Sequence, residues 1–337
     1  MRVSVLRAAG DLAVEERPDV VPGPHEVLVR VASVGVCGSD IHYFEHGRIG
    51  RFTVDAPLVL GHEASGEVVG LGPGVSRLTV GQRVSLEPGV PDFSCPQCLA
   101  GRYNLCTGMR FFATPPIDGA FAELVTIHEQ FAHPVPDQLS DDAAALLEPL
   151  SVGLWACLKA DVTAGSRVLI TGAGPVGLVT AQCALALGAS DVTVTDINTH
   201  RLQLAQDLGA TTTLNSGTTS LADSGVEPDV FLECSGRPEA IADALPTVAR
   251  AGRVVLVGMG ANEALLPISR IQEYELTVTG TFRYANTWPA AISFASSGRV
   301  QLDRLVTGHY ALDQVREALT VNRNDPKAVK PIVRPGT

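Results

Sequence analysis

Two textures of hydrophobic patterning divide the chain. Up to about Ser140 the apolar positions fall in short runs, such as Val27-Leu28-Val29-Arg30-Val31 and Gly66-Glu67-Val68-Val69-Gly70. Turn signals at Pro22-Gly23-Pro24, Gly72-Pro73-Gly74 and Pro115-Pro116 separate them. Short strands with frequent turns predict a small β-rich, barrel-like unit. After Ser140 the period lengthens. Residues 141–160 carry apolar side chains at helical spacing, started by a Ser140 cap and interrupted at Glu148-Pro149. Strands are then predicted over 167–171, 192–195, 230–233 and 254–257, and helices over 176–187, 198–208 (with Gly209 past its end) and 238–248. This alternation predicts a parallel sheet with helices on both faces, an α/β architecture. Beyond Arg283 the regularity lapses, and one late helix is predicted over 312–321. There are no internal repeats.

Composition narrows the class. A chain of 337 residues suggests about two domains and can bury a core without disulfides. The excess of Asp+Glu (36) over Lys+Arg (25), with no long basic run, argues against a nucleic-acid or anionic-membrane partner. Seven cysteines, an odd count, do not form a secreted disulfide framework. The grouping of Cys95, Cys98 and Cys106 suits metal or redox chemistry in a reducing compartment, so a cytoplasmic location is expected. The first residues, with Arg7 and Asp11 among apolar ones, read as a strand and not a signal peptide. Residues 168–190 are uncharged and long enough to span a bilayer, but Gly172 to Pro175 break them into strand, turn and helix.

That break carries chemistry. Gly172-x-Gly174-Pro175-Val176-Gly177 follows a predicted strand and opens a predicted helix. The first glycine makes the tight turn, the second admits a pyrophosphate to the backbone, and the third packs helix on strand. The free N–H groups at the helix start then face the anion. Asp196, at the end of the next strand, is placed to accept hydrogen bonds from a ribose 2′-OH and to repel a 2′-phosphate, which favours NAD over NADP. Arg201 nearby is able to accept a phosphate, but the carboxylate is expected to dominate.

Cys37-Gly38-Ser39-Asp40-Ile41-His42 gathers a thiol, a hydroxyl, a carboxylate and an imidazole, and Gly61-His62-Glu63-Ala64-Ser65-Gly66 supplies a second His–carboxylate pair. In these two segments the chain resembles the zinc-containing medium-chain dehydrogenases. The resemblance tightens to their polyol dehydrogenase branch through Tyr43, Gly47-Arg48-Ile49-Gly50, Gly101-Arg102-Tyr103-Asn104-Leu105-Cys106, Ala113-Thr114-Pro115-Pro116, Glu148-Pro149-Leu150-Ser151-Val152-Gly153 and Phe282-Arg283-Tyr284-x-Asn286-Thr287-Trp288-Pro289.

The resemblance implies a GroES-like, zinc-binding catalytic domain from residues 1–147 and 283–337, and a Rossmann NAD-binding domain from 148–282. It implies a catalytic zinc held by Cys37, His62 and a carboxylate, either Glu63 or Glu148, with Asp40 orienting His62. Cys95, Cys98 and Cys106 match three of the four thiolates of a structural zinc lobe, with Asp92 at the fourth position. The implied reaction is oxidation of a secondary alcohol of sorbitol, xylitol or a related polyol to the ketose, with hydride transfer to NAD. Ser39 and His42 would relay the hydroxyl proton and Glu148 would orient the reacting group. Tyr43, Phe112, Thr114, Phe282, Arg283 and Tyr284 would line the substrate pocket, and Val257, Gly258 and Phe282 would touch the cofactor. A homo-oligomer, dimer or tetramer, is expected. The same chemistry on an aldonate such as L-idonate, on L-threonine or on a diol is the alternative, because Arg283 would serve a carboxylate as readily as a hydroxyl. A dinucleotide-binding sensor without turnover is disfavoured, since Cys37, His62, Glu63 and Glu148 are all present.

Overall fold

A computed structural model describes residues 1–336. Its internal contacts divide the chain into Met1–Glu148 with Leu302–Thr337, and Pro149–Gln301. The first seam falls one residue beyond the expected position. The second lies further along, so that residues 283–301, expected with the catalytic unit, belong to the nucleotide unit. The reason is packing: the helix Trp288–Ser296 buries Trp288 and Ala291, and Gln182 accepts the Gln301 N–H at 2.7 Å.

In the first unit the strand Glu26–Gly35 is the hub. It pairs antiparallel with Glu63–Leu71, Leu124–His128 and Lys330–Arg334. Its period of two buries Val27, Val29 and Val31 while Arg30 faces solvent. The sheet runs Ala132–Pro134, Arg83–Leu86, Glu63–Leu71, Glu26–Gly35, Lys330–Arg334, Val306–Ala311, and the last two strands are parallel. Those two late strands lie where the sequence pattern lapses and were not predicted. Nor was the helix Gly38–His46, whose polar run hides a helical face that buries Asp40, Tyr43 and Phe44.

The predicted helix over 141–160 is two helices, Asp141–Ala145 and Leu147–Lys159. Ser140 caps the first, its hydroxyl accepting the Ala143 N–H at 2.9 Å. The break comes at Leu146, before the expected Glu148-Pro149, because Pro149 sits in the first turn of the second helix. There the N–H that proline lacks has no helical partner anyway.

The second unit is a six-stranded parallel sheet ordered Thr212–Asn215, Asp191–Asp196, Arg167–Thr171, Val230–Glu233, Arg253–Leu256, Thr277–Gly280. Counted along the chain this is 3-2-1-4-5-6, the doubly wound dinucleotide-binding order. The order reverses between Arg167–Thr171 and Val230–Glu233, both of which fall where the pattern predicts them. Asn198 caps the helix Thr199–Asp207 by accepting the His200 and Arg201 N–H groups. The helix expected over 238–248 ends at Ala244 and continues as a 3-10 turn, Leu245–Thr247, which contains Pro246. No helix among the described residues is long and apolar enough to cross a membrane.

Candidate active site

In the first unit, single ligand atoms of Cys37, His62 and Glu63 all lie within 4.8 Å of one another. Cys37 stands just before the helix Gly38–His46, and His62 just before the strand Glu63–Leu71 that Glu63 opens. Asp40 fastens the two segments together: its oxygens accept the Cys37 and Gly61 N–H groups, each at 2.9 Å. His62 Nδ1 is 3.8 Å from Asp40, so the carboxylate braces the ligand-bearing backbone more directly than it orients the ring as expected. Burial lowers the affinity of His62 for a proton, but Cys37 and Asp40 outweigh it and hold the pKa well above the ordinary value. A soft thiolate, an imidazole and carboxylates form a donor set suited to zinc.

Both carboxylates named for this site are buried, Glu63 on its strand and Glu148 at the start of Leu147–Lys159. Glu63 has a partner the sequence did not suggest. Lys330, fully buried, places Nζ at 2.7 and 2.8 Å from its two oxygens. Burial pulls the Lys330 pKa down, yet the charges of Glu63, Cys37 and Glu148 outweigh this and raise it. The signal available in sequence was a lone lysine among Val329, Pro331, Ile332 and Val333.

Ser39 and His42 lie on the helix that Cys37 precedes, Ser39 half-buried and His42 exposed. Tyr43 and Phe112 are buried, and Thr114 is half-buried.

The second cluster is a loop. Ligand atoms of Asp92, Cys95, Cys98 and Cys106 all lie within 4.8 Å of one another. Asp92 Oδ1 accepts the Ser94 and Cys95 N–H groups at 2.8 and 2.9 Å, and the Cys95 and Cys98 sulfurs are 3.4 Å apart. The N–H groups of Cys95 and Ser94 hold the Asp92 carboxyl down at about 2. Burial and the three neighbouring donors push the Cys98 thiol up to about 12. Such crowding of anionic donors is relieved by a cation, so this set also fits zinc.

In the second unit Gly172 turns at φ +90°, and a Cβ on Gly177 would stand 1.8 Å from the Gly172 carbonyl oxygen. Gly174 precedes the helix Pro175–Ala186, with Pro175 and Val176 in its first turn. Asp196 ends its strand with Oδ2 on the Ala173 N–H at 2.7 Å and Oδ1 on the Asn198 N–H at 2.8 Å. It therefore fixes the glycine turn, and each oxygen keeps a further lone pair. Arg201 lies on the helix that Asn198 caps.

Glu233, unflagged in the sequence, builds the facing turn. Its buried carboxylate accepts the Ser235 and Gly236 N–H groups at 2.7 and 2.9 Å, and its carbonyl accepts those of Val257 and Gly258, both at 2.8 Å. A carboxylate closing an apolar strand before Cys234-Ser235-Gly236 was the readable sign. Phe282 is partly exposed with the Arg283 guanidinium over its ring at 4.8 Å, and Arg283 adopts φ +55°. Tyr284 is buried against Trp288.

Residues 23–137 match the alcohol dehydrogenase GroES-like domain, and residues 175–297 match the zinc-binding dehydrogenase domain. The chain is 43% identical over 327 residues to a sorbitol dehydrogenase of Gallus gallus, covering 95% of this chain and 92% of the relative. It is 41% identical over 328 residues to a sorbitol dehydrogenase of Bacillus subtilis, with the same coverage of 95% and 92%. Its fold superposes on the crystal structure of L-idonate 5-dehydrogenase from Escherichia coli with a TM-score of 0.92 at 31% identity, covering 99% and 97% of the two chains. Fold and donor sets together define a zinc- and nicotinamide-dependent oxidoreductase. The chain belongs to the zinc-containing medium-chain alcohol dehydrogenases.

Proposed function

We propose that this dehydrogenase oxidises a secondary hydroxyl of a polyol such as sorbitol or xylitol to the ketose, reducing NAD to NADH and releasing a proton. The observation that carries this reading is the Cys37–His62–Glu63 donor set, in a chain 41–43% identical along most of its length to sorbitol dehydrogenases. Cys37 and His62, with one carboxylate, would hold zinc. When bound, the metal supplies Lewis acidity that makes an alcohol hydroxyl ionisable near neutral pH.

The chain's own groups do the rest. The Ser39 hydroxyl takes the substrate proton and passes it towards His42, whose exposure lets it deliver the proton to bulk water. Glu148 orients the reacting hydroxyl. Tyr43, Arg283 and Tyr284 bond the remaining hydroxyls, while Phe112, Thr114 and Phe282 shape the wall. A site built to bond hydroxyls discriminates against alcohols that lack them. The glycine turn from Gly172 to Gly177 receives the pyrophosphate, and Val257, Gly258 and Phe282 flank the nicotinamide half. Asp196 makes NAD the preferred cofactor over NADP, with Arg201 secondary.

The free state of all seven cysteines suits a reducing, cytoplasmic compartment. The edge strand Thr277–Gly280 suits continuation of the sheet into a second copy, giving a dimer or, by further pairing, a tetramer.

The test is NADH formation by zinc-loaded protein on sorbitol, xylitol, ribitol, L-idonate, L-threonine, 2,3-butanediol and ethanol. Turnover led by a pentitol or hexitol is expected. A lead by L-idonate would favour an aldonate with Arg283 on its carboxylate, a reading the L-idonate 5-dehydrogenase neighbour keeps open. Absence of turnover on every alcohol would overturn the assignment. In the same assay Asp196→Ala should raise the KM for NAD about tenfold and narrow the preference over NADP, the loss of one charge-assisted hydrogen bond.

A further inference from the structure

Three buried serines form a row across the sheet of the first unit. Ser33 on Glu26–Gly35 pairs in register with Ser65 on Glu63–Leu71, and Ser65 pairs with Ser85 on Arg83–Leu86. A shift of register between Val31 and Ser33 makes the alignment possible. Val31 stands opposite Gly66 and Ser33 opposite Ser65, so the alternation reverses there and Ser33 turns to the face that Ser65 and Ser85 share. Over that face lies the short helix Asp141–Ala145, and each hydroxyl donates to it at 2.6 Å. Ser33 donates to Asp142 Oδ1, Ser65 to the Asp141 carbonyl and Ser85 to the Ala144 carbonyl. The serines are at most 1% exposed, so water does not compete for these bonds. Asp142 Oδ2 takes two further donors from the late strands, His309 Nε2 at 2.6 Å and an Arg334 guanidinium nitrogen at 2.9 Å.

A helix this short has no stability of its own, so its place is set by what it docks on. An apolar face would hold it by contacts that have no direction, along which it could slide. Three directed bonds from three strands fix both its position and its rotation. The far end of the helix leads to the site. Leu146 and the Glu63 carboxylate both come down on Gly35, where an added Cβ would stand 3.1 Å from Leu146 Cδ2 and 2.0 Å from Glu63 Oε2. Glu148 follows at once, in the first turn of Leu147–Lys159.

We infer that Ser33, Ser65 and Ser85 are positioning residues for the reaction: by docking Asp141–Ala145 they set where the Glu148 carboxylate stands. The inference rests on the dehydrogenase reading above, which gives Glu148 its role on the reacting hydroxyl. The serines act through the helix and not on the substrate.

The test is a kinetic cycle on zinc-loaded enzyme, with the polyol that is turned over fastest. Ser33→Ala/Ser85→Ala should lower kcat by about tenfold or more, as a small misplacement of a reacting group does, while the KM for NAD stays within about twofold. In a Glu148→Gln background the same pair should change kcat by no more than about twofold, because the hydroxyls act through that carboxylate. Val84→Ala, on the opposite face of the strand that carries Ser85, is the control for plain loss of stability. It should lower the melting temperature at least as far, yet keep kcat within about twofold well below the transition.

An unchanged kcat in the double serine variant would overturn the inference. So would a loss that persists in full in the Glu148→Gln background, an equal loss in Val84→Ala, or a Glu148→Gln enzyme as active as the unsubstituted one. Should the double variant fail to fold, Ser33→Ala alone is carried through the same cycle against the same criteria. Absence of turnover by the unsubstituted protein on every alcohol removes the dehydrogenase reading and the inference with it. An active enzyme whose serines are not coupled to Glu148 overturns the inference alone.

Discussion

The cluster around Cys37 draws on distant stretches of chain, with Lys330 reaching Glu63 across 267 positions, whereas Asp92, Cys95, Cys98 and Cys106 come from one short loop. In the first His62 and Glu63 are buried, Cys37 is half-buried, and the buried Lys330 supplies a cation of its own. The second runs from exposed Asp92 through half-buried Cys95 and Cys98 to buried Cys106, and holds its geometry through local backbone bonds, such as those from Ser94 and Cys95 to Asp92. The difference teaches what each can do. Four protein donors from one loop close a coordination sphere and leave no place for a substrate. Donors assembled by the tertiary fold can be held short of saturation, as a reactive centre requires.

The strongest way to break this contrast is to remove one donor from each cluster. Cys37→Ser should cut turnover by at least about 100-fold while metal analysis still finds the ion of the loop. Loss of both ions together, or of neither, would mean that the clusters are not independent. Next in size, Glu148→Gln should lower kcat by about 10- to 100-fold with a smaller change in the KM for the polyol, as for a group that acts mainly on the reacting hydroxyl. Cys98→Ser should strip the loop of its ion yet leave kcat within about twofold. Its effect should appear instead in the melting temperature, at about 2–4 °C for each kcal/mol lost. A large loss of turnover in Cys98→Ser would show that the loop belongs to the reactive centre.

The smallest effect concerns acidity. Asp92 in the folded, metal-free protein has its carboxyl near 2 against an ordinary 3.8, so the bonds it accepts stabilise the loop fully above the ordinary value. That contribution is lost as the pH falls through the interval down to about 2. Amide exchange of Ser94 and Cys95 in metal-free protein should therefore accelerate across that window, and Asp92→Asn should flatten the change.

Legibility in the sequence followed how local each feature is. The glycine turn, Asp196 and the strands Arg167–Thr171 and Val230–Glu233 depend on contiguous residues and a regular period, and the structure has them where the pattern predicts. The segments that bring Cys37 and His62 together were readable as motifs. The carboxylate of Glu63 was readable as a candidate donor but not as the partner of Lys330, because no spacing rule links positions so far apart. The helix Gly38–His46 is hard to read in the sequence because its many polar side chains erase the apolar stripe. The unit boundary near residue 301 is not legible locally because it turns on a contact far along the chain, the Gln301 N–H donated to Gln182 more than a hundred residues earlier. Glu233 was overlooked for a related reason: a carboxylate that ends an apolar strand looks like a boundary until the turn it organises is seen.

The antiparallel seam between Glu26–Gly35 and Lys330–Arg334 has a consequence for how the molecule comes into being. A nascent chain emerges from its N-terminus, and domains generally fold as units in that order. Here the first unit cannot acquire its last strands, nor Glu63 its counter-charge, until the whole nucleotide unit has been synthesised. The early β-rich segment must therefore wait with an open sheet edge and an uncompensated acidic group, while the parallel sheet, contiguous in sequence, is free to fold ahead of it.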